Sequence, residues 1–210
     1  MAIGLLVLPE GVARAQSGDV ANPVVVFDSF GAGNSYLTTV VWAVSGASTS
    51  GGYRGQAEWF VPGISGNLSS ITLATLRISG SGRSNFFIAE DNNGVPGAIL
   101  ESYGNVLNTA SGLLTLNSSS QPMLQAGLTY WVCDEPADAT SLTGWFQNNQ
   151  SRTNGFAFER SPWSWQGITS HAPPSGVMRV SLVPIPEPGI AALMSVALGL
   201  IVASRKGLNR

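Results

Sequence analysis

Six carboxylates, Glu58, Glu90, Asp91, Asp134, Glu135 and Asp138, are the side chains here with the widest chemical reach. Glycoside hydrolysis asks for no more than two acids held about 5 to 9 Å apart. Their spacing along the chain singles out no pair, and Asp134-Glu135-Pro136-Ala137-Asp138 reads first as a solvated loop leaving a strand. Histidine offers less. His171 is the sole histidine, sits in Ser170-His171-Ala172-Pro173-Pro174, and has neither a nucleophile elbow nor a metal-ligand spacing around it. One imidazole cannot build a histidine-rich zinc site, so a surface-loop histidine is the simplest reading. Asp91-Asn92-Asn93-Gly94 sets the oxygen-bearing side chains of Asp91 and Asn93 alternately in a tight loop, as Ca²⁺ prefers. It lacks the bidentate acid of an EF-hand loop, with Leu100 preceding Glu101 at that point, and a Gly-bearing hairpin turn accounts for it. No cofactor is expected.

Aromatic residues suggest binding in place of catalysis. Trp131, Trp145, Trp163 and Trp165 crowd the second half of the chain. Sandwich lectins present such rings as flat rests for sugars, and Trp163 and Trp165 share a face if their segment is extended. The competing reading is core and hairpin packing, which fits the usual burial of tryptophan. Exposure separates the two.

The elements that must position these residues are short β-prone runs divided by Gly, Asn, Asp and Pro, with no helical period in the body of the chain. Strands are expected over 24–27, 57–61, 70–78, 85–89, 113–116, 128–134, 143–146, 155–158 and 177–183. In the last, Met178, Val180 and Leu182 face one way and Arg179 and Ser181 the other, as a half-buried strand requires. Within 70–78 the apolar phase passes from Ile71 and Leu73 to Leu76 and Ile78, which predicts a bulge near Ala74 or Thr75. Gly80-Ser81-Gly82 and Asn92-Asn93-Gly94 can supply the positive φ angles of turns. The expected fold is all-β, a two-sheet β-sandwich or jelly roll, followed by a single C-terminal apolar transmembrane helix.

Charge narrows the partners. Between Gln16 and Pro188 six Arg face eleven Asp and Glu, and the only Lys of the chain is Lys206. A mildly acidic, Lys-free surface argues against nucleic acid, which needs a basic stripe to displace counterions. It suits an extracellular protein. The lone Cys133 forbids an internal disulfide and, within Leu128-Thr129-Tyr130-Trp131-Val132-Cys133-Asp134, reads as a small buried hydrophobe.

The two ends carry addresses. The run 189–203 holds no charge and follows Pro186-Glu187-Pro188, with Arg205, Lys206 and Arg210 behind it. As a helix it spans about 22 Å at about 1.5 Å per residue, short of the ~30 Å hydrocarbon core, so length alone leaves a buried helix open. The flanks favour the membrane, because the prolines stop the preceding strand and the cations belong on the cytoplasmic side. At the other end 2–8 is apolar, and Ala13-Arg14-Ala15 fits the small-x-small pattern cut by signal peptidase. The absent basic n-region predicts a start codon placed too far downstream. Three regions result: 1–15 a signal peptide, 16–184 one β domain, and 185–210 a sorting signal.

A Pro-Glu-Pro triplet, one apolar helix and a basic terminus resemble the PEP-CTERM sorting signal, which an exosortase recognises in the bacterial inner membrane and removes. That resemblance implies Glu187 with Pro186 and Pro188 as the recognition element, a transient membrane stop, and Arg205, Lys206 and Arg210 as a cytoplasmic lock. A second resemblance rests on Glu58-Trp59-Phe60-Val61, Leu68-Ser69-Ser70-Ile71-Thr72-Leu73, the run from Phe87 through Asn92-Asn93-Gly94 to Gly97, and the run from Leu124 through Tyr130-Trp131-Val132. These are similar to choice-of-anchor domains, the R type in particular, which are exported bacterial β-sandwiches attached to various surface anchors. Together they imply a structural or adhesive protein of the surface or extracellular matrix of a diderm bacterium, linked to exopolysaccharide. A carbohydrate-binding module is the alternative and a glycoside hydrolase the third. The implied partners are exosortase, signal peptidase, the inner membrane in passing, and exopolysaccharide.

Overall fold

The computed structural model describes residues 22–185 apart from 154, 163 and 169–173. Among the described residues the chain forms thirteen strands: β1 (Val24–Asp28), β2 (Leu37–Ser45), β3 (Gly55–Phe60), β4 (Gly66–Ser79), β5 (Arg83–Asp91), β6 (Pro96–Leu107), β7 (Gly112–Asn117), β8 (Met123–Leu124), β9 (Tyr130–Pro136), β10 (Leu142–Gln147), β11 (Phe156–Glu159), β12 (Gln166–Ile168) and β13 (Met178–Pro184). They make two antiparallel sheets that pack as a β-sandwich. One runs β1-β13-β4-β10-β2, with β7 and β8 also paired to β4; the other runs β12-β11-β3-β9-β5-β6. No helix among the described residues is long and apolar enough to cross a membrane. The expected tail helix over 189–203, the triplet Pro186, Glu187 and Pro188, the cations Arg205, Lys206 and Arg210, and the cleavage pattern Ala13 and Ala15 lie outside the described residues.

All nine expected strands form. In β13 the period-two reading holds, with Met178, Val180 and Leu182 fully buried and Arg179 and Ser181 only partly so. Both turn signals act as expected, since Gly80, Gly82, Asn93 and Gly94 all take positive φ. The bulge in β4 is a correction. Pairing with β7 runs without a break from Ser70 to Thr75, and the register slips lie at Ser69, opposite β13, and at Ile78, opposite β10. What happens at Ala74 is a change of partner: Leu73 opposes Met178 of β13, whereas Thr75 opposes Trp145 of β10. The second apolar phase belongs to the other face of the strand, where Ala74 and Leu76 pack with Phe30 and Phe146 while Ile71 and Leu73 fill the space between the sheets. Four strands, β2, β6, β8 and β12, were not expected. β8 and β12 are only two and three residues long, and β6 opens on Pro96 and carries two glycines, a composition tolerated because β6 is the outer strand of its sheet.

The space between the sheets is filled by Phe60, Leu68, Ile71, Phe86, Ile88, Trp145 and their neighbours. A second apolar layer lies on the far face of the six-stranded sheet, where Ala57, Phe87, Ala89, Trp131, Cys133 and Ala157 are buried and Trp59 and Trp165 pack against them. That layer explains why β9 reads Tyr-Trp-Val-Cys, apolar on both faces. Cys133 is free and fully buried, as expected.

Candidate functional site

The two sheets separate along one flank, where β2 ends its sheet and β11 lies one strand from the end of the other. Alternation along β11 puts Phe156 and Phe158 on the same face as their cross-strand partners Glu58 and Gln56 of β3, and Arg160 follows in the same phase. Trp42 of β2 crosses to meet them. Its ring stacks on Phe156 with centroids 4.9 Å apart and planes at 21°, and Phe156 stacks on Phe158 at 6.0 Å and 26°. The guanidinium of Arg160 closes the row, 5.5 Å from the Phe158 ring centroid. Trp42 is held in place by its indole N–H, which donates to the Pro174 carbonyl at 3.3 Å.

Arg54 completes the site. Its backbone pairs both ways with Ser45 at the end of β2, at 2.8 and 3.0 Å, and Arg160 follows Glu159, the partner of Gly55, so both arginines stand just past the same end of the β3–β11 pair. The two cations border two hollows. One, of about 290 Å³, is lined by Trp42, Arg54, Gln56, Phe156, Phe158 and Arg160. The other, of about 280 Å³, lies along Gly51, Gly52 and Tyr53. Because both arginines line both hollows, these form one trough with two adjacent positive charges at its middle. Among the described residues the only ion pair joins Arg179 to Asp28, so neither trough arginine has an acidic partner there.

On the opposite face of the same strands the acids gather. Glu159 and Glu135 flank Gly55, from β11 and β9 respectively, and the missing side chain of Gly55 leaves room for the Glu159 carboxyl. Tyr53 donates its hydroxyl to Glu159 Oε1 at 2.7 Å. Burial, reinforced by the Glu159 carboxylate, pushes Glu135 up to about 8. At neutral pH Glu135 is therefore protonated and donates to Glu159. Glu135 Oε1 and Glu159 Oε2 are buried without another hydrogen-bond partner, and a proton held between the two carboxyls would satisfy both. The core face holds two further acids. Burial raises Asp134 to about 8, against a small opposing effect of Ser84, and raises Glu58 well above the ordinary range although Glu58 accepts the Gly176 N–H at 2.6 Å. Glu101 behaves oppositely: hydrogen bonds from Ser118, Ser119 and Ser120 outweigh its desolvation and bring it down to about 2.

The rings named from sequence as a glycan platform are placed otherwise. Trp131 is 1% exposed and its N–H donates to Asp91 Oδ1 at 2.8 Å; Trp145 is fully buried and donates to the Val177 carbonyl at 2.8 Å. Burial removes both faces from any sugar. Trp165 is half-buried, edge-on to Phe87, and Trp163 lies outside the described residues. Asp91 and Asn93 form the β5–β6 hairpin turn, with the Asp91 carboxylate accepting the Gly94 N–H as well as the Trp131 indole. Its oxygens are committed to the protein, and no group of three acidic, His or Cys side chains gathers among the described residues. Of the six acids named from sequence, Glu58 and Asp134 face the core, Glu90 and Asp91 end β5, Asp138 caps Thr140, and only Glu135 meets another carboxyl, that of Glu159. Sequence reading missed the trough. Phe156, Phe158 and Arg160 stand at alternate positions, a readable signal, but Trp42 and Arg54 join them only through the pairing of strands distant in sequence. No protein-family model matches this chain, and no curated protein aligns with it significantly.

Proposed function

We propose that this is an exported protein of the bacterial surface or extracellular matrix whose β-sandwich is a non-enzymatic, adhesive module that contacts exopolysaccharide through the Trp42–Arg160 trough. In this reading it is a choice-of-anchor-like domain of jelly-roll type. Signal peptidase acts at one end, and an exosortase acts at Pro186-Glu187-Pro188 once the helix over 189–203 has paused in the inner membrane, with Arg205, Lys206 and Arg210 on the cytoplasmic side. The observation that carries the adhesive role is the trough itself: half-exposed Trp42 and Phe158 beside two cations that have no acidic partner among the described residues, in a chain whose net charge is negative. Hydrolysis has less support, because in the carboxyl pair Glu135–Glu159 the Glu159 side chain is fully buried and bonded to Tyr53.

The test has two parts on one sample, the protein recovered from the surface of its host. Its intact mass should end near Pro186 to Pro188, with the tail retained only in an exosortase deletion. The same material should be retarded in gels containing the host's exopolysaccharide, and Trp42→Ala should abolish the retardation. A retained tail in the wild type overturns the sorting route, and unretarded wild-type protein overturns the adhesive role.

A further inference from the structure

We infer that the trough recognises a carboxylate-bearing pyranose, a hexuronic acid within a polysaccharide chain, with Arg54 and Arg160 binding the carboxylate. This rests on the adhesive reading above and adds the chemical class of the ligand. Like charges held beside one another are unfavourable unless something neutralises them. Arg54 and Arg160 stand just past the Gly55↔Glu159 pair and line the same two hollows, and the nearest acid does not serve: Glu159, next in sequence to Arg160, points to the other face and is engaged by Tyr53. An anion arriving from solvent would neutralise the pair.

The surroundings say which anion. A guanidinium is a planar fork matched to the two oxygens of a carboxylate, and two forks side by side form a strong charge-assisted site. Directly beside them the half-exposed rings of Trp42 and Phe158 provide the apolar lining that the C–H face of a sugar favours. A phosphate or sulfate would use the cations and waste the rings; a neutral sugar would use the rings and leave the cations unpaired. The hollow continues past the arginines along Gly51 and Gly52, where the absence of side chains keeps one wall low. That leaves space for neighbouring units of a chain on both sides of the charged one.

The experiment is titration calorimetry on the surface-recovered protein with three probes: oligogalacturonate, the same oligomer with its carboxyls reduced to hydroxymethyl groups, and dextran sulfate. Oligogalacturonate should bind, and reduction of the carboxyls should weaken binding about tenfold or more, as should Arg54→Gln and Arg160→Gln. Arg160→Lys should weaken it too, since the fork is lost while the charge stays. Arg77→Gln, at the exposed end of β4, should leave it unchanged. The reduced oligomer tests the idea without any substitution, so a misfolded variant cannot obscure the answer. Equal binding of the reduced oligomer overturns the carboxylate assignment and leaves the adhesive reading intact. Dextran sulfate binding as tightly, and weakened equally by Arg77→Gln, reduces the site to ion exchange and overturns the assignment. Binding of no probe, in protein that the host's exopolysaccharide does retard, overturns the uronate assignment alone; no retardation either overturns both.

Discussion

Glu135 and Glu159 meet beside Gly55, on the face of the six-stranded sheet that points away from the core, and burial with the neighbouring Glu159 raises Glu135 to about 8. The arrangement depends on an absent side chain. A Cβ at Gly55 would stand 2.6 Å from Glu159 Oε1 and 2.7 Å from its Cγ. Glu159 is buried and tied to Tyr53, so it cannot swing clear without breaking that bond. Gly55→Ala should therefore cost about 1 to 3 kcal/mol, read from the urea midpoint. An unchanged midpoint would mean that Glu159 moves freely and the proton-sharing geometry is wrong.

The buried acids set a pH profile with a definite sign. Asp134 and Glu135 sit at about 8 in the folded chain, and Glu58 is raised as well, whereas unfolded carboxyls titrate near 4. Between those values the native state holds protons that the unfolded state has released, so stability is greatest below the unfolded pKa and is lost as pH rises toward 8. Glu101, at about 2, works the other way: its contribution is present above about pH 4 and fades as pH falls toward 2. Thermal melts should accordingly peak near pH 4 to 5 and drop by several degrees at pH 8. Asp134→Asn should flatten the descending arm. A Tm that rises from pH 5 to 8 would contradict the burial of these acids in their neutral form.

Cys133 is closed in on both sides of its strand by Ala57 and Phe87, and burial first, then the acids Glu135, Glu159 and Asp134, raise its thiol well above the ordinary value. Both effects suppress the thiolate that alkylating reagents need. In native protein iodoacetamide should leave Cys133 unmodified for hours at pH 8, and modification should appear with the unfolding transition in urea. Prompt alkylation without denaturant would show that the outer layer of the sheet opens.

Much of this architecture was legible in the sequence because burial on one face imposes period two, as in Met178, Val180 and Leu182, and because turns need Gly or Asn at positive φ, as at Gly80 and Asn93. The site was not legible, for a different reason. Trp42, Arg54 and Arg160 are neighbours only through the register of β3 with β11 and the stacking of Trp42 across the gap between sheets, and no local pattern encodes which distant strands will pair. Glu159 stayed hidden in the same way, since an acid at the end of Phe-Ala-Phe-Glu signals an exposed strand end until Gly55 and Glu135 are seen beside it. Trp131 and Trp145 drew attention as sugar platforms because composition cannot tell a buried ring from a displayed one.

That last ambiguity gives the most direct comparison of roles within the molecule. Trp145 is fully buried, its indole N–H satisfies the Val177 carbonyl, and its ring lies so close to Gly176 that a Cβ there would come within 2.7 Å of it. Trp145→Phe removes the donor, leaves the carbonyl without this partner, and opens a space the size of the lost ring. It should cost about 2 to 4 kcal/mol of stability and leave affinity for exopolysaccharide unchanged in the folded fraction. Trp42→Ala should do the reverse in proportion: its ring is half-exposed at the mouth of the trough, so the loss of stability should be smaller and the loss of binding complete. Measuring urea midpoints and gel retardation on the two variants side by side separates a packing tryptophan from a binding one. If Trp145→Phe weakened binding as much as Trp42→Ala at equal folded fraction, the trough would have to give way to a site built around the sandwich core.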